Sequence, residues 1–327
     1  MRRGTVANLA PDVQNRGGGL RNSLRASYAP LNAGCMAEPS LYIHAGAHRT
    51  GTSSFQMCLH ENRTLLQDQG WALAYPPRDD IPSGTLGLRL PRPRDSKLGR
   101  VTIRTTRLLA AHSAGRPLLL SEENIPGRMM HFIKGQFYPA AEKRCGVLRE
   151  AWPGPIAHVL LVVRPYDQLF VSGYRKRAED NPVPAFDILR PNYMRMDRGW
   201  PELVGILRDV LRPERLTVVP YAARGTSAQL LARLVGDASA DHFREPARKM
   251  NVSATEAALV ALQKRYAGEE TVTRAEWQAV VAAHADDRSD HGFARFTEAE
   301  VAHWTAKYAH DLDLIAAMDG VTFVPAS

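Results

Sequence analysis

Residues 41–56, LYIHAGAHRTGTSSFQ, decide how this chain is read. LYIHA is an apolar strand candidate, GAHRTG is a glycine-bearing turn, and TSS opens a helix with hydroxyl side chains. A strand–turn–helix of this kind gathers backbone N–H groups and a helix N-terminus around an anion, usually a phosphate. Gly46 and Gly51 have the G-x-x-x-x-G spacing of a phosphate loop, but Thr52 stands where that pattern requires Lys. The cation comes earlier, as Arg49. The loop is therefore expected to hold a phosphate without the parts that handle a nucleoside triphosphate and magnesium.

A second stretch, IAHVLLVVRPYDQLFVSGY at 156–174, repeats the grammar. The run from Ile156 to Val163 is rich in β-branched residues and reads as a buried strand. Arg164 ends it, and Pro165 can open a helix because its missing N–H is not needed there. Ser172 lies on that helix, eight residues after Arg164.

Arg49-Thr50-Gly51-Thr52-Ser53 after the first strand, with Arg164 and Ser172 after a later one, resembles the sulfotransferases that use 3′-phosphoadenosine 5′-phosphosulfate (PAPS). Their loop reads approximately K-[ST]-G-T-[ST]. The longer frame from His44 to Gln56 is similar to bacterial members of that superfamily, and the resemblance covers roughly residues 40–255. It implies a P-loop-like three-layer α/β fold with a central parallel sheet, PAPS as donor, and no metal. It also implies that His48, Arg49, Thr50, Gly51, Thr52 and Ser53 surround the phosphosulfate, while Arg164 and Ser172 clasp the 3′-phosphate. Arg49 takes the place of the family Lys. A guanidinium stays charged and can bridge two oxygens but is a poor proton donor, so Arg49 is expected to stabilise charge on the bridging oxygen electrostatically. His48 either touches the phosphosulfate or caps the loop. His44, inside the strand, reads as a packed, hydrogen-bonded core residue.

The acceptor hydroxyl needs a base. The third strand candidate ends in Ser121-Glu122-Glu123-Asn124. Adjacent side chains on a strand point to opposite sides, so one carboxylate faces the pocket. The resemblance favours Glu123 as the base, with Glu122 or His131 as alternatives. The plainer reading has the pair capping the next helix. Farther on, Arg248-Lys249-Met250-Asn251-Val252-Ser253 is similar to a basic element of the relatives that closes over the nucleotide, which implies cofactor contacts for Arg248 and Asn251. The same segment also reads as a helix start, with Ser253 as N-cap and Glu256 completing a capping box. Tyr221 ends the fifth strand candidate, and Ala222 follows where relatives carry an acid, so that corner is given no role.

Composition sets the frame. The chain has 327 residues, 44% hydrophobic and 23% charged, with a formal charge of +8. These values suit a globular protein with an attraction for anions. The basic residues are scattered and no nucleic-acid motif is present, so nucleic acid is not an expected partner. No apolar run approaches the ~20 residues of a membrane span. Cys35, Cys58 and Cys145 have neither metal nor disulfide spacing, which fits a cytoplasmic protein. Residues 1–39 read as a flexible extension. From residue 40, LYIHA, WALAY (71–75), RPLLLS (116–121), HVLLVV (158–163) and LTVVPY (216–221) alternate with helical segments, the first over 52–69. This pattern predicts a parallel sheet of about five strands covered on both faces. Helices over 254–266, 273–285 and 297–317 read as a helical cover within 254–320.

The expectation is thus a sulfotransferase acting on a hydroxyl of a carbohydrate or small molecule. Its rivals are a phosphate-loop kinase and a catalytically degenerate nucleotide-binding module.

Overall fold

The structure, a computed structural model, describes residues 38–78, 81–237, 239–247, 253–268 and 271–325. Residues 1–37 of the extension expected over 1–39, together with Arg248 and Asn251, lie outside the described residues.

The five apolar runs form β1 (Leu41–His44), β2 (Ala72–Ala74), β3 (Leu118–Ser121), β4 (Ile156–Val163) and β5 (Arg215–Pro220). A sixth strand, β6 (Val321–Phe323), pairs with β5. It was not expected from sequence, because three residues carry too little periodicity. All pairings are parallel and the order is β2-β3-β1-β4-β5-β6.

Parallel strands buried on both faces need apolar residues at every position. On β4, Val159, Leu161 and Val163 enter one core, while Leu160 and Val162 enter the other. Helices α1 (Thr52–Glu61) and α2 (Arg63–Asp68) cover the second face through Phe55, Leu59 and Leu66. The first face carries α3 (Leu98–Ser113), α4 (Ala141–Ala151), α5 (Tyr166–Asp180), α6 (Phe186–Met194) and α7 (Trp200–Ile206). Helix α8 (Ser227–Val235) joins α1 on the second face through Leu230, Leu231 and Leu234. The layers are helix, sheet, helix, as the alternating pattern predicts.

The single helix expected over 52–69 is broken at Asn62. Its Nδ2 donates to the Cys58 carbonyl and to the Arg244 carbonyl, both at 2.8 Å, and its Oδ1 accepts from Arg244 N–H at 2.8 Å. A side chain that bonds backbone in this way competes with the helix ladder.

Beyond the sheet, α9 (Glu256–Ala267) and α10 (Arg274–Ala283) pack on α5 through Ala178, Ala258, Leu259 and Val281. The last helix, α11 (Glu298–Ala316), is built into the first face by Trp304 and Ile315. Its Asp311 is 2% exposed, accepts from the Tyr166 hydroxyl, and pairs with Lys307 Nζ at 3.1 Å. The Tyr166 hydroxyl accepts the Trp200 backbone N–H at 2.7 Å, and Trp200 Nε1 donates to the Arg164 carbonyl at 2.9 Å.

The order of strands fixes where a ligand can bind. The chain leaves β1 toward β3 and β2, then crosses to β4 on the other side. Ligands in open α/β sheets bind beyond the carboxyl ends of the strands at such a reversal.

Candidate functional site

The turn after β1 is shaped by two glycines. A Cβ at Gly46 would lie 2.4 Å from Thr52 Oγ1. Gly51 has φ +91°, and a Cβ there would lie 2.6 Å from Arg224 Nε. Between them Arg49 takes φ +62°, a left-handed conformation that strains a side-chain-bearing residue. Three contacts hold it. Arg164 Nη1 donates to the Arg49 carbonyl at 2.7 Å, Arg49 Nε donates to Ser172 Oγ at 2.7 Å, and Arg49 Nη2 donates to Ser253 Oγ at 3.1 Å. The Thr50 and Thr52 hydroxyls both donate to the Ala47 carbonyl, at 2.7 and 3.2 Å, and staple the turn from inside. Helix α1 then begins with no side-chain cap and no acid in its first turn. Such an N-terminus favours an anion.

The segments after β1, β2, β3, β4 and β5 enclose a cavity of about 420 Å³. Its charged lining is Arg49, Arg78, Arg164, Lys176 and Arg224 against the carboxylate of Glu123. His48, Gly51, Thr52, Ser53 and Ser172 also line it. These residues are expected from the sequence, and the fold brings them together. Thr50 is the exception: it is buried beneath the turn and does not line the cavity. Its contribution is the bond to Ala47.

Several buried nitrogens face no partner. Nε of Arg164, Nε of Arg224 and Nδ1 of His48 make no hydrogen bond. An unsatisfied buried donor costs about 1–3 kcal/mol. Cationic N–H groups in this condition suit an anionic ligand. The Arg164 guanidinium also sits 4.7 Å from the centroid of the Tyr221 ring. Burial lowers the pKa of Arg49, Arg164 and Arg224, but guanidinium groups remain charged.

The two acids after β3 separate as the strand geometry predicts. Glu122 is buried, and its Oε1 accepts Asn124 N–H at 2.8 Å and Asn124 Nδ2 at 2.7 Å. Burial raises its pKa. It closes the turn. Glu123 lines the cavity, and its Oε2 lies 3.1 Å from Arg78 Nη2. Burial alone would raise the Glu123 pKa, but positive neighbours outweigh it and the carboxyl is held below its ordinary range. The neighbours responsible are His48, Arg78 and Arg49, and burial in turn lowers the pKa of His48. His131, the alternative base, is half-buried on the turn Met129–Lys134 and does not line the cavity.

Other residues were not named from sequence. Arg78 lies in a stretch read only as a loop, and its Nε donates to Gln56 Oε1 at 2.7 Å. Arg224 donates to Ser227 Oγ at 3.1 Å, in the corner after β5 that the departure at Ala222 had discounted. Arg144 is 5% exposed and donates to the carbonyls of Asn124 and Ile125, which clamps the turn bearing Glu123. The available signal was weak: isolated Arg residues in a basic chain look like surface. Ser253, read as an N-cap, bonds Arg49 instead, and the N-cap of α9 is Thr255, which accepts Ala258 N–H. Glu256 pairs with Arg175 at 2.8 Å rather than completing a capping box.

Among the described residues, no group of three or more His, Cys, Asp or Glu is arranged to hold a metal, and no helix is long and apolar enough to cross a membrane. Comparison of the chain with protein-family models, with curated proteins and with solved structures gives no match.

Proposed function

We propose that this protein is a sulfotransferase that takes a sulfuryl group from PAPS and passes it to a hydroxyl. One observation carries the reading. Five cationic side chains, with buried guanidinium N–H groups lacking partners, surround a glycine-shaped helix N-terminus and oppose one ionised carboxylate. That set suits a polyanionic donor together with an acceptor that must lose a proton.

The residues fit the donor in two groups. The turn at Arg49–Ser53 and the N-terminus of α1 would hold the phosphosulfate, and Arg164 and Ser172, which line the same cavity, would hold the 3′-phosphate. PAPS supplies an activated sulfuryl group on a phosphate leaving group. As the acceptor oxygen bonds to sulfur, the bond from sulfur to the 5′-phosphate oxygen breaks and adenosine 3′,5′-bisphosphate departs. Arg49 would stabilise the charge that grows on that phosphate oxygen. Glu123 would accept the hydroxyl proton. Its ionised state at neutral pH leaves an acceptor site open, and geometry is the first demand on a general base. Arg78 and Arg144 would hold it in place.

Thermal shift tests the reading. Adenosine 3′,5′-bisphosphate should stabilise the protein strongly, and ATP with magnesium should not. The reverse order would favour a phosphate-loop kinase, and no shift with either would favour a degenerate module.

A further inference from the structure

A second cavity, of about 620 Å³, shares Ser253 with the cation-lined one. Its floor comes from α10 and the turn that follows: Trp277, Val281 and Ala282 on the helix and Ala285 just beyond its end line it. No residue of α10 is fully buried, and Trp277 is partly exposed. The rim is polar. Gln278, Asp287, Arg288, Asp290 and Arg295 supply amide, carboxylate and guanidinium groups, and Asp290 is paired with Arg295 at 2.6 Å.

The two cavities meet along a short wall. Lys176 lines the first and Trp277 the second, and the Lys176 ammonium lies 5.4 Å from the Trp277 ring centroid. Arg175, the neighbour of Lys176 on α5, lines the second cavity, where Glu256 anchors it.

We propose that this groove is a subsite for a neutral oligosaccharide, which stacks a sugar ring on Trp277. The proposal rests on the sulfotransferase reading for its purpose: the bound glycan is the acceptor. A pyranose ring has an apolar C–H face that lies flat on an indole and a rim of hydroxyls that pairs with amides and carboxylates. An aromatic floor with a polar rim matches both. The occupant is a chain rather than a single sugar, because Trp277 and Glu123 belong to different cavities: one unit rests on the indole and a later unit presents its hydroxyl past Ser253. A competing place for an acceptor is the hole of about 180 Å³ lined by Met129, Phe132, Phe170, Tyr174 and Tyr193. It shares Met129 with the cation-lined cavity, and its aromatic lining suits a small phenol instead.

The test is calorimetry on the intact protein. The probes are neutral tetrasaccharides of the β-1,4-linked glucose, N-acetylglucosamine, xylose and galactose series, titrated with and without adenosine 3′,5′-bisphosphate. At least one series should bind. Trp277→Ala should weaken that binding by about tenfold or more, Trp277→Phe should restore part of it, and affinity for adenosine 3′,5′-bisphosphate should stay unchanged in both. The proposal is overturned if no series binds, if Trp277→Ala binds the glycan as well as the parent, or if 4-nitrophenol binds while every glycan fails. Failure of adenosine 3′,5′-bisphosphate to bind, with Trp277-dependent glycan binding intact, would remove the donor reading and leave the subsite standing.

Discussion

Arg49 Nε donates to Ser172 Oγ at 2.7 Å, which ties the turn after β1 directly to helix α5. The resemblance assigned these residues to opposite ends of a nucleotide, yet they touch. Arg164 completes the link by donating to the Arg49 carbonyl at 2.7 Å. The strained backbone of Arg49 is thus braced by the same two residues that would meet the 3′-phosphate. A change at either end of the proposed donor site should be felt at the other.

Replacement of Arg49 should act mainly on turnover. Interactions that strengthen as charge develops affect rate more than ground-state binding. Arg49→Ala should lower sulfate transfer from labelled PAPS by roughly 10²-fold or more, as lost oxyanion donors do. Arg49→Lys keeps the charge but cannot hold Ser172 and Ser253 in the same way. It should retain turnover within about tenfold of the parent. Unchanged transfer in Arg49→Ala would reduce the turn to a binding element.

Glu123→Gln should lower turnover by roughly 10²–10⁴-fold and leave donor affinity intact. Glu122→Gln should act differently. Its carboxylate closes the turn through both nitrogens of Asn124, so the substitution should cost stability in urea titration, by about 1 kcal/mol, with a smaller effect on rate. A dead Glu122→Gln enzyme of normal stability would move the base to that residue.

The 3′-phosphate assignment can be checked by binding alone. Adenosine 3′,5′-bisphosphate should bind at least about tenfold more tightly than 5′-AMP, because each charge-assisted contact contributes on the order of 1.5–3 kcal/mol. Arg164→Ala and Ser172→Ala should each narrow that ratio. Calorimetry that finds the two nucleotides equal in the parent protein would refute the assignment.

Acid should unfold this protein through its buried histidines. His44 is 1% exposed, stacks on Phe55 and bonds Ser121 Oγ at 3.0 Å, and burial lowers its pKa to about 3. His158 is fully buried between the Leu234 carbonyl and Thr217, and burial lowers its pKa to about 4. Both folded values lie below the ordinary 6.5 of the unfolded chain. Between those limits the unfolded state binds more protons, so stability is complete above about pH 6.5 and falls as pH drops toward 4 and 3. The loss linked to His44 is on the order of 3–5 kcal/mol. Urea midpoints between pH 7 and 4 should fall, and His44→Gln should flatten the slope.

The strands and the strand-linked half of the site were legible because each sits inside a local pattern. β4 is a long apolar run, and Arg49, Glu123 and Arg164 follow strands directly, where parallel topology directs them to one edge. Arg78, Arg144 and Arg224 were not legible. Each reaches the site through contacts distant in sequence, such as Arg224 against Gly51, which no local spacing encodes. Ser253 was misassigned because a Ser three residues before Glu is a common helix start, and only the packed structure shows Thr255 in that place. β6 was too short to be seen at all.

The network that begins at Asp311 reaches back to the strand end that carries Arg164. Tyr308, on the same helix, donates its hydroxyl to the Val163 carbonyl at 3.0 Å, one residue before Arg164. A shortened version of this protein that stopped before residue 298 would keep every motif from His44 to Ser172. It would nevertheless lose the carboxylate beneath Tyr166, the bond to Val163 and the edge strand β6. Truncation limits for expression are therefore set by the last helix, however far it lies from the signature residues along the chain.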